Sequence, residues 1–388
     1  MSALDCHEHA DFVAGTAGNS TGTGVLVFKV GILAAMVTPL VLYSLHTLFA
    51  GYAFWRPFVL LVVLWGLMSD SHVFATGYLY LRPRNFNGIR YRWTLLYLVP
   101  AGILAANLSA VTLLPAPYLM WFMIVYIHYA LFHFARQNIG VLSFVTLTST
   151  RRPLDREEKL ILNGVAICGM LGALRLYAPG LLLNPAYFVF DLSPIAAAIE
   201  PLYLAGSIGY AVVFGLALRH FFMRRRSFDR YSALIFWLCV GWYLPIYLAF
   251  GHPLLSIASF TTAHGLQYLV LLGFHAYRRS RLRRSRRSNA GMSPSGGLEW
   301  YALMPCLALA AAATTGALLW RFPELPVLGF GQIVGLVASG NAIAKAGAGL
   351  VAGITLAHFW VDQFIWRSRS PERRGWLIEH YPFLAART

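Results

Sequence analysis

Charge is scarce in this chain, and negative charge is scarcer. Only 12% of the 388 residues are Asp, Glu, Lys or Arg, about half the share of an ordinary soluble domain. A large soluble helical core is excluded on this ground, because its helices alternate apolar and charged faces. Cysteine is nearly absent. Cys6, Cys168, Cys239 and Cys306 stand far apart with no CxxC, so neither a disulfide framework nor a thiolate metal site is supported. Three of them sit in apolar segments and read as small core residues. No cleavable signal peptide is expected: residues 1–24 are polar, carry Asp5, Glu8 and Asp11, and lack a basic n-region.

What the chain has in quantity is apolar length. Hydrophobic residues make up 58% of it, in runs of about 20, each enough to cross roughly 30 Å of hydrocarbon. The expected fold is an all-α polytopic transmembrane bundle of about ten helices. The spans read Val25–Leu48, Pro57–Leu81, Trp93–Leu114, Tyr118–Leu147, Lys159–Ala178, Leu202–Met223, Tyr231–Gly251, Leu254–Tyr277, Leu298–Leu319 and Lys345–Trp366. Residues 1–24 form a polar tail, 25–366 one membrane domain, and 367–388 a basic tail. The glycine-rich stretch within Trp320–Ala344 suits a re-entrant helix; an eleventh span is the alternative.

Basic residues set the orientation. Of 31 Lys and Arg, 24 fall in the connections after the even-numbered spans and in the C-terminal tail. The opposite connections hold Arg56 and Arg321. Cytoplasmic loops carry such an excess, which puts both termini in the cytoplasm, the even spans running inward, and the protein in the inner membrane. The run RRSRLRRSRR invites a nucleic-acid reading. Between membrane spans it is better explained as a topogenic loop facing anionic lipid, so the bilayer, not nucleic acid, is the expected partner.

Ionisable residues inside apolar spans are expensive and mark functional sites. His72, His128, His133, His264 and His358 are five such residues, all on inward-running helices. His72 is ten residues from Arg82, His264 fourteen from Arg278 and His358 nine from Arg367. At about 1.5 Å per residue they lie roughly 13–21 Å from the basic edge. A set at matched depth is what a metal or haem site between helices requires. In HFWVD, His358 and Asp362 are i,i+4 and share a face; imidazole with carboxylate suits iron or zinc. In HGLQY, His264, Gln267 and Tyr268 share a face. In HYALFH, His128 and His133 are i,i+5, about 140° apart on an ideal helix, so both meet one site only across a π-bulge. Asp70 and His72, at i,i+2, face opposite ways. Arg136 sits one turn beyond His133, where a cation would pair with Asp70, Asp362 or an anionic substrate group, and Gln137 and Asn138 continue the polar strip.

Cytoplasm-side histidines in HYALFH, HGLQY and HFWVD on several membrane helices resemble, in style, the integral-membrane non-haem iron oxidases: lipid desaturases and hydroxylases, and bacterial carotene-cleaving dioxygenases. The boxes HxxxH and HxxHH do not occur. The resemblance implies an oxidoreductase with non-haem iron, in a mono- or diiron centre, acting with O2 on a hydrophobic or lipid-like substrate and served by an electron donor. His133, His264, His358 and Asp362 are the preferred ligands and His72 and His128 the next. Arg136 would orient substrate and Tyr268 would hydrogen-bond an oxygen species. Two alternatives stay open: a proton-coupled transporter with a His/Asp/Arg relay, and a haem-b electron carrier using His133 and His264.

Overall fold

The computed structural model describes residues 21–49, 69–80, 83–86, 89–150, 152–177, 193–248, 253–289, 342–366 and 371–381. Among them there is helix and no strand. The ninth expected span, most of the second, most of the glycine-rich stretch before Lys345, and His7, His9 and His252 lie outside the described residues, as do the side chains of His46 and Asp70.

The helices are α1 (Thr21–Phe49), α2 (Ser69–Tyr80), α3 (Val99–Leu113), α4 (Ala116–Ser149), α5 (Arg156–Ala173), α6 (Ser193–Arg224), α7 (Arg230–Val240), α8 (Leu244–Leu248), α9 (Pro253–Asn289), α10 (Ala342–Ile365) and α11 (Pro371–His380). Four segments are long and apolar enough to cross a membrane: Gly24–Leu42, Thr94–Leu113, Ala196–Ser227 and Lys345–Ile365. Leu98, Leu113, Leu204, Ile208, Val212 and Phe222 on these helices are exposed. An apolar surface of that extent marks contact with something other than water. Four is fewer than the ten spans expected. Besides the segments outside the description, the shortfall has a physical origin. α4 carries His128, His133, Arg136, Gln137 and Asn138 along its middle, α9 carries His264, Gln267 and His275, and α5 opens on Arg156, Glu157, Glu158 and Lys159. The span expected from Tyr231 breaks at 241–243 between α7 and α8, and α9 continues as helix through the arginine run to Asn289.

α10 packs most extensively on α3, α1 on α9, and α5 on α6. The α3–α10 contact brings backbones together. A Cβ on Gly353 would meet the Leu104 Cα at 3.0 Å, and one on Gly349 the Leu108 Cα at 2.9 Å. Small residues at such positions let helices approach closely; Gly347, by contrast, faces open space. Upstream of α3, residues Thr94–Leu98 form a π turn. Pro100 explains it, since a proline ring lacks an N–H and crowds the carbonyl four residues back. That carbonyl, on Leu96, accepts the Tyr80 hydroxyl at 2.7 Å. The Leu95 carbonyl, bypassed because the Val99 N–H bonds to Thr94, accepts the Trp360 indole N–H at 2.8 Å.

The basic C-terminal segment includes α11, which folds back on the bundle with Arg373, Trp376, Leu377, His380 and Tyr381 buried. Arg373 donates to the Ile365 carbonyl through Nε at 2.8 Å, and to the Asn85 carbonyl at 2.5 Å, closing the C-terminal end of α10 where carbonyls lack helical partners. The His380 ring stacks on His275, centroids 4.4 Å apart, and on Trp376 at 4.6 Å. Burial pulls the His380 imidazole down to about 4, although the Trp376 carbonyl, to which Nδ1 donates at 2.9 Å, acts in the other direction.

Candidate metal centre

Four helices deliver imidazoles to one buried place. α2 brings His72, α4 brings His133, α9 brings His264 and α10 brings His358. Ring centroids are 4.7 Å apart for His72–His264, 5.0 Å for His72–His358, 5.1 Å for His133–His264 and 6.1 Å for His133–His358. One turn past His358 on α10, Asp362 puts its Oδ2 at 3.4 Å from His358 Nε2 and 3.8 Å from His133 Nε2. The ligand atoms form two overlapping triads, His72–His264–His358 and His133–His358–Asp362, each with its atoms within 4.8 Å of one another. His358 belongs to both.

The polar atoms of this cluster are short of partners. Both ring nitrogens of His264, Nε2 of His133 and of His358, and both oxygens of Asp362 are buried without a hydrogen bond. Tyr268 and Trp366 approach Asp362 closely enough to interact with its charge, short of a well-formed hydrogen bond. Each unsatisfied buried group costs about 1–3 kcal/mol, and six such atoms together rival the roughly 5–15 kcal/mol by which a whole domain is stable. A cation among them removes that cost, because it supplies the missing acceptor of lone pairs. Imidazole and carboxylate are the ligand set that iron or zinc takes.

A second layer fixes the ring orientations. Thr76, one turn after His72 on α2, places its Oγ1 2.7 Å from His358 Nδ1 and 3.0 Å from the Tyr268 hydroxyl. For His358 Nε2 to ligate, Nδ1 must carry the proton and donate it to Thr76. Thr76 directs its own hydrogen to the His72 carbonyl at 3.5 Å, so its oxygen is left to accept from Nδ1 and favours the ligating tautomer. Phe359 stacks on His133 at 4.0 Å between centroids, and Phe134 lies over His264 at 4.4 Å. Gln137 on α4 donates to the His264 carbonyl at 3.1 Å and to Gln267 Oε1 at 3.0 Å, and Gln267 donates to Asn138 Oδ1 at 2.9 Å. This amide chain ties α4 to α9 directly behind two of the imidazoles.

The residues singled out from sequence thus divide. His72, His133, His264, His358, Asp362 and Tyr268 come together. His128 does not: α4 is α-helical through HYALFH, so its ring diverges from His133, and Nδ1 bonds the Ile124 carbonyl at 2.8 Å. Arg136 is also elsewhere. Its side chain is exposed and donates to Asn163 Oδ1 of α5 at 2.7 Å, and it touches neither Asp362 nor the histidines. Thr76, Phe134 and Phe359 were missed. The available signal for Thr76 was its i,i+4 spacing from His72, which puts both on one face. Comparison with protein families, with curated proteins and with solved structures returns no match, so the chemistry of this centre is argued from its side chains alone.

Proposed function

We propose that this chain is a multi-pass inner-membrane metalloenzyme, a non-haem iron oxidoreductase that uses O2 on a hydrophobic or lipid-like substrate. The observation that carries the reading is the convergence of His72, His133, His264, His358 and Asp362 from four helices, with most of their ligating atoms unsatisfied. Two triads sharing His358 suit either one ion or a pair. Iron held there would supply the redox change that O2 chemistry requires, with electrons from a separate donor. The chain's own contribution is order and dryness. Thr76 holds the His358 tautomer, Phe134 and Phe359 wall the imidazoles from water, and Tyr268 stands beside His358, centroids 4.9 Å apart, with a hydroxyl able to donate a hydrogen bond. Apolar helix surfaces and a water-poor site favour a substrate that arrives through lipid.

The arginine distribution supports ten spans with both termini cytoplasmic. A haem-b carrier is disfavoured because His133 and His264, the pair it would use, have ring centroids only 5.1 Å apart, closer than two imidazoles on opposite faces of one porphyrin can stand. A transport relay is disfavoured because Arg136 has no contact with the cluster.

The test is elemental analysis and an absorption spectrum on protein purified in detergent. Iron without a Soret band is expected; a Soret band, or no metal, refutes the reading. His264→Ala and Asp362→Ala should insert normally and lose metal, while Asp362→Asn separates a ligand from a residue that only orients one: full metal with slow turnover would move Asp362 to the orienting role.

A further inference from the structure

At the far end of α6 a second group of ligands is assembled on a different principle. Asp155 caps α5. Its Oδ1 accepts the Glu158 N–H at 2.8 Å, and Glu158 Oε2 accepts the Asp155 N–H at 2.9 Å, a reciprocal capping box. One oxygen of each carboxylate is thereby committed to the backbone. The other two, Asp155 Oδ2 and Glu158 Oε1, each stand 3.7 Å from Nε2 of His220, which reaches across from α6. His220 is buried (1% exposed) and Nε2 has no hydrogen-bond partner. Nδ1 is engaged by Glu157 Oε2 at 2.8 Å. A carboxylate only accepts, so Nδ1 carries the proton and in the neutral ring Nε2 presents a lone pair to two anionic oxygens.

That arrangement needs a positive charge between the three atoms, and the distances choose which. A protonated Nε2 would close to about 2.7–2.9 Å on one oxygen. Ligands of a single ion with bonds of about 2.0–2.2 Å stand about 3.4–3.8 Å apart at tetrahedral or slightly wider angles. The charge count agrees. Asp155, Glu157 and Glu158 carry three negative charges, and Arg152, which donates to Glu158 Oε1 itself at 2.5 Å and to Oε2 at 2.9 Å, cancels one while leaving Oε1 its second lone pair for a metal. Two remain.

We infer that Asp155 Oδ2, Glu158 Oε1 and His220 Nε2 form a divalent-cation site of zinc or manganese type, distinct from the histidine cluster, that clips the start of α5 to the end of α6. Asp155 is part-exposed (31%) and gives the ion access from solvent, with water completing its coordination. The test uses full-length protein in detergent, stripped with chelator and titrated with Zn2+ by calorimetry, wild type beside Asp155→Asn and His220→Gln. Asparagine retains the capping oxygen, so Asp155→Asn preserves the helix while removing the anionic ligand. The expected result is one fewer high-affinity Zn2+ equivalent in both variants, with the remaining stoichiometry unchanged, and a Zn2+-dependent rise in Tm that shrinks in both. If Asp155→Asn binds the same number of equivalents with the same affinity as wild type, the site is an ion-paired imidazolium and the inference fails, whatever His220→Gln does.

Discussion

Replacing Thr76 with valine tests the second layer without touching a ligand. Valine keeps the shape of threonine and substitutes a methyl for the hydroxyl that lies 2.7 Å from His358 Nδ1 and 3.0 Å from the Tyr268 hydroxyl. Two consequences follow. The Nδ1–H of ligating His358 is left buried without an acceptor, at about 1–3 kcal/mol, and the opposite tautomer, with its proton on Nε2, is no longer disfavoured. Both weaken metal binding, by about 10- to 100-fold on the scale of outer-layer substitutions at other metal centres. The measurement is metal affinity by competition with a chelator of known Kd, alongside helical content to confirm folding. Serine at the same position restores an oxygen and should recover most of the affinity. The reasoning is refuted if Thr76→Val binds metal as tightly as wild type, or if serine and valine lose affinity equally, since loss would then track packing, not the hydrogen bond.

Gly353→Ala should push α10 off α3, because the new methyl meets the Leu104 backbone at 3.0 Å; about 1–3 kcal/mol is expected, read as a lowered Tm together with reduced metal content five residues from His358. For pH, His380 is held at about 4 in the folded state, chiefly by burial, against about 6.5 when free. The unfolded segment therefore binds more protons between these values, and stability is lost as pH falls from about 6.5 towards 4, on the order of 2–3 kcal/mol. Hydrogen exchange across 371–381 should show α11 undocking over that window, and His380→Phe, which keeps the ring stacked on His275, should weaken the pH dependence. Alkaline phosphatase fused after Thr388 should be inactive; activity would overturn the cytoplasmic C-terminus and the even number of spans.

Much of the candidate centre was legible in the sequence because imidazoles in apolar runs are rare and depth can be counted from the basic edges. Helical spacing also separated His358 with Asp362 from the divergent pair His128 and His133. Direction around a helix was harder. Arg136 is three residues past His133 and turned about 60° from it, while Gln137, at four, is turned only about 40° the other way. That difference sends one towards Asn163 and the other to His264. Thr76 carried only its i,i+4 spacing from His72, since a threonine in a membrane helix ordinarily bonds its own backbone, as Thr38 does to Ala34. The span count was read from apolar length, which polar residues dilute in α4 and α9, two of the helices that build the centre, while α10 still qualifies as a span. His220 stands near a helix end beside arginines, where the sequence gives it no partner, because its three carboxylate neighbours come from the opening of another helix.

The π turn ahead of α3 has a consequence for how this region tolerates change. Its two displaced carbonyls are taken by Tyr80, one turn past Thr76, and by Trp360, two residues past His358. The extra residue in that turn is thus the splice by which α3 holds the helices carrying His72 and His358. Substitutions at the exposed Leu98 should be absorbed. A single-residue deletion between Thr94 and Leu98 is another matter. With Pro100 still in place, it would swing everything upstream by about 100° relative to α3, taking both carbonyls away from their donors. Chain length in these five residues is therefore constrained more tightly than their identity, so insertions and deletions should be rejected where side-chain changes are not.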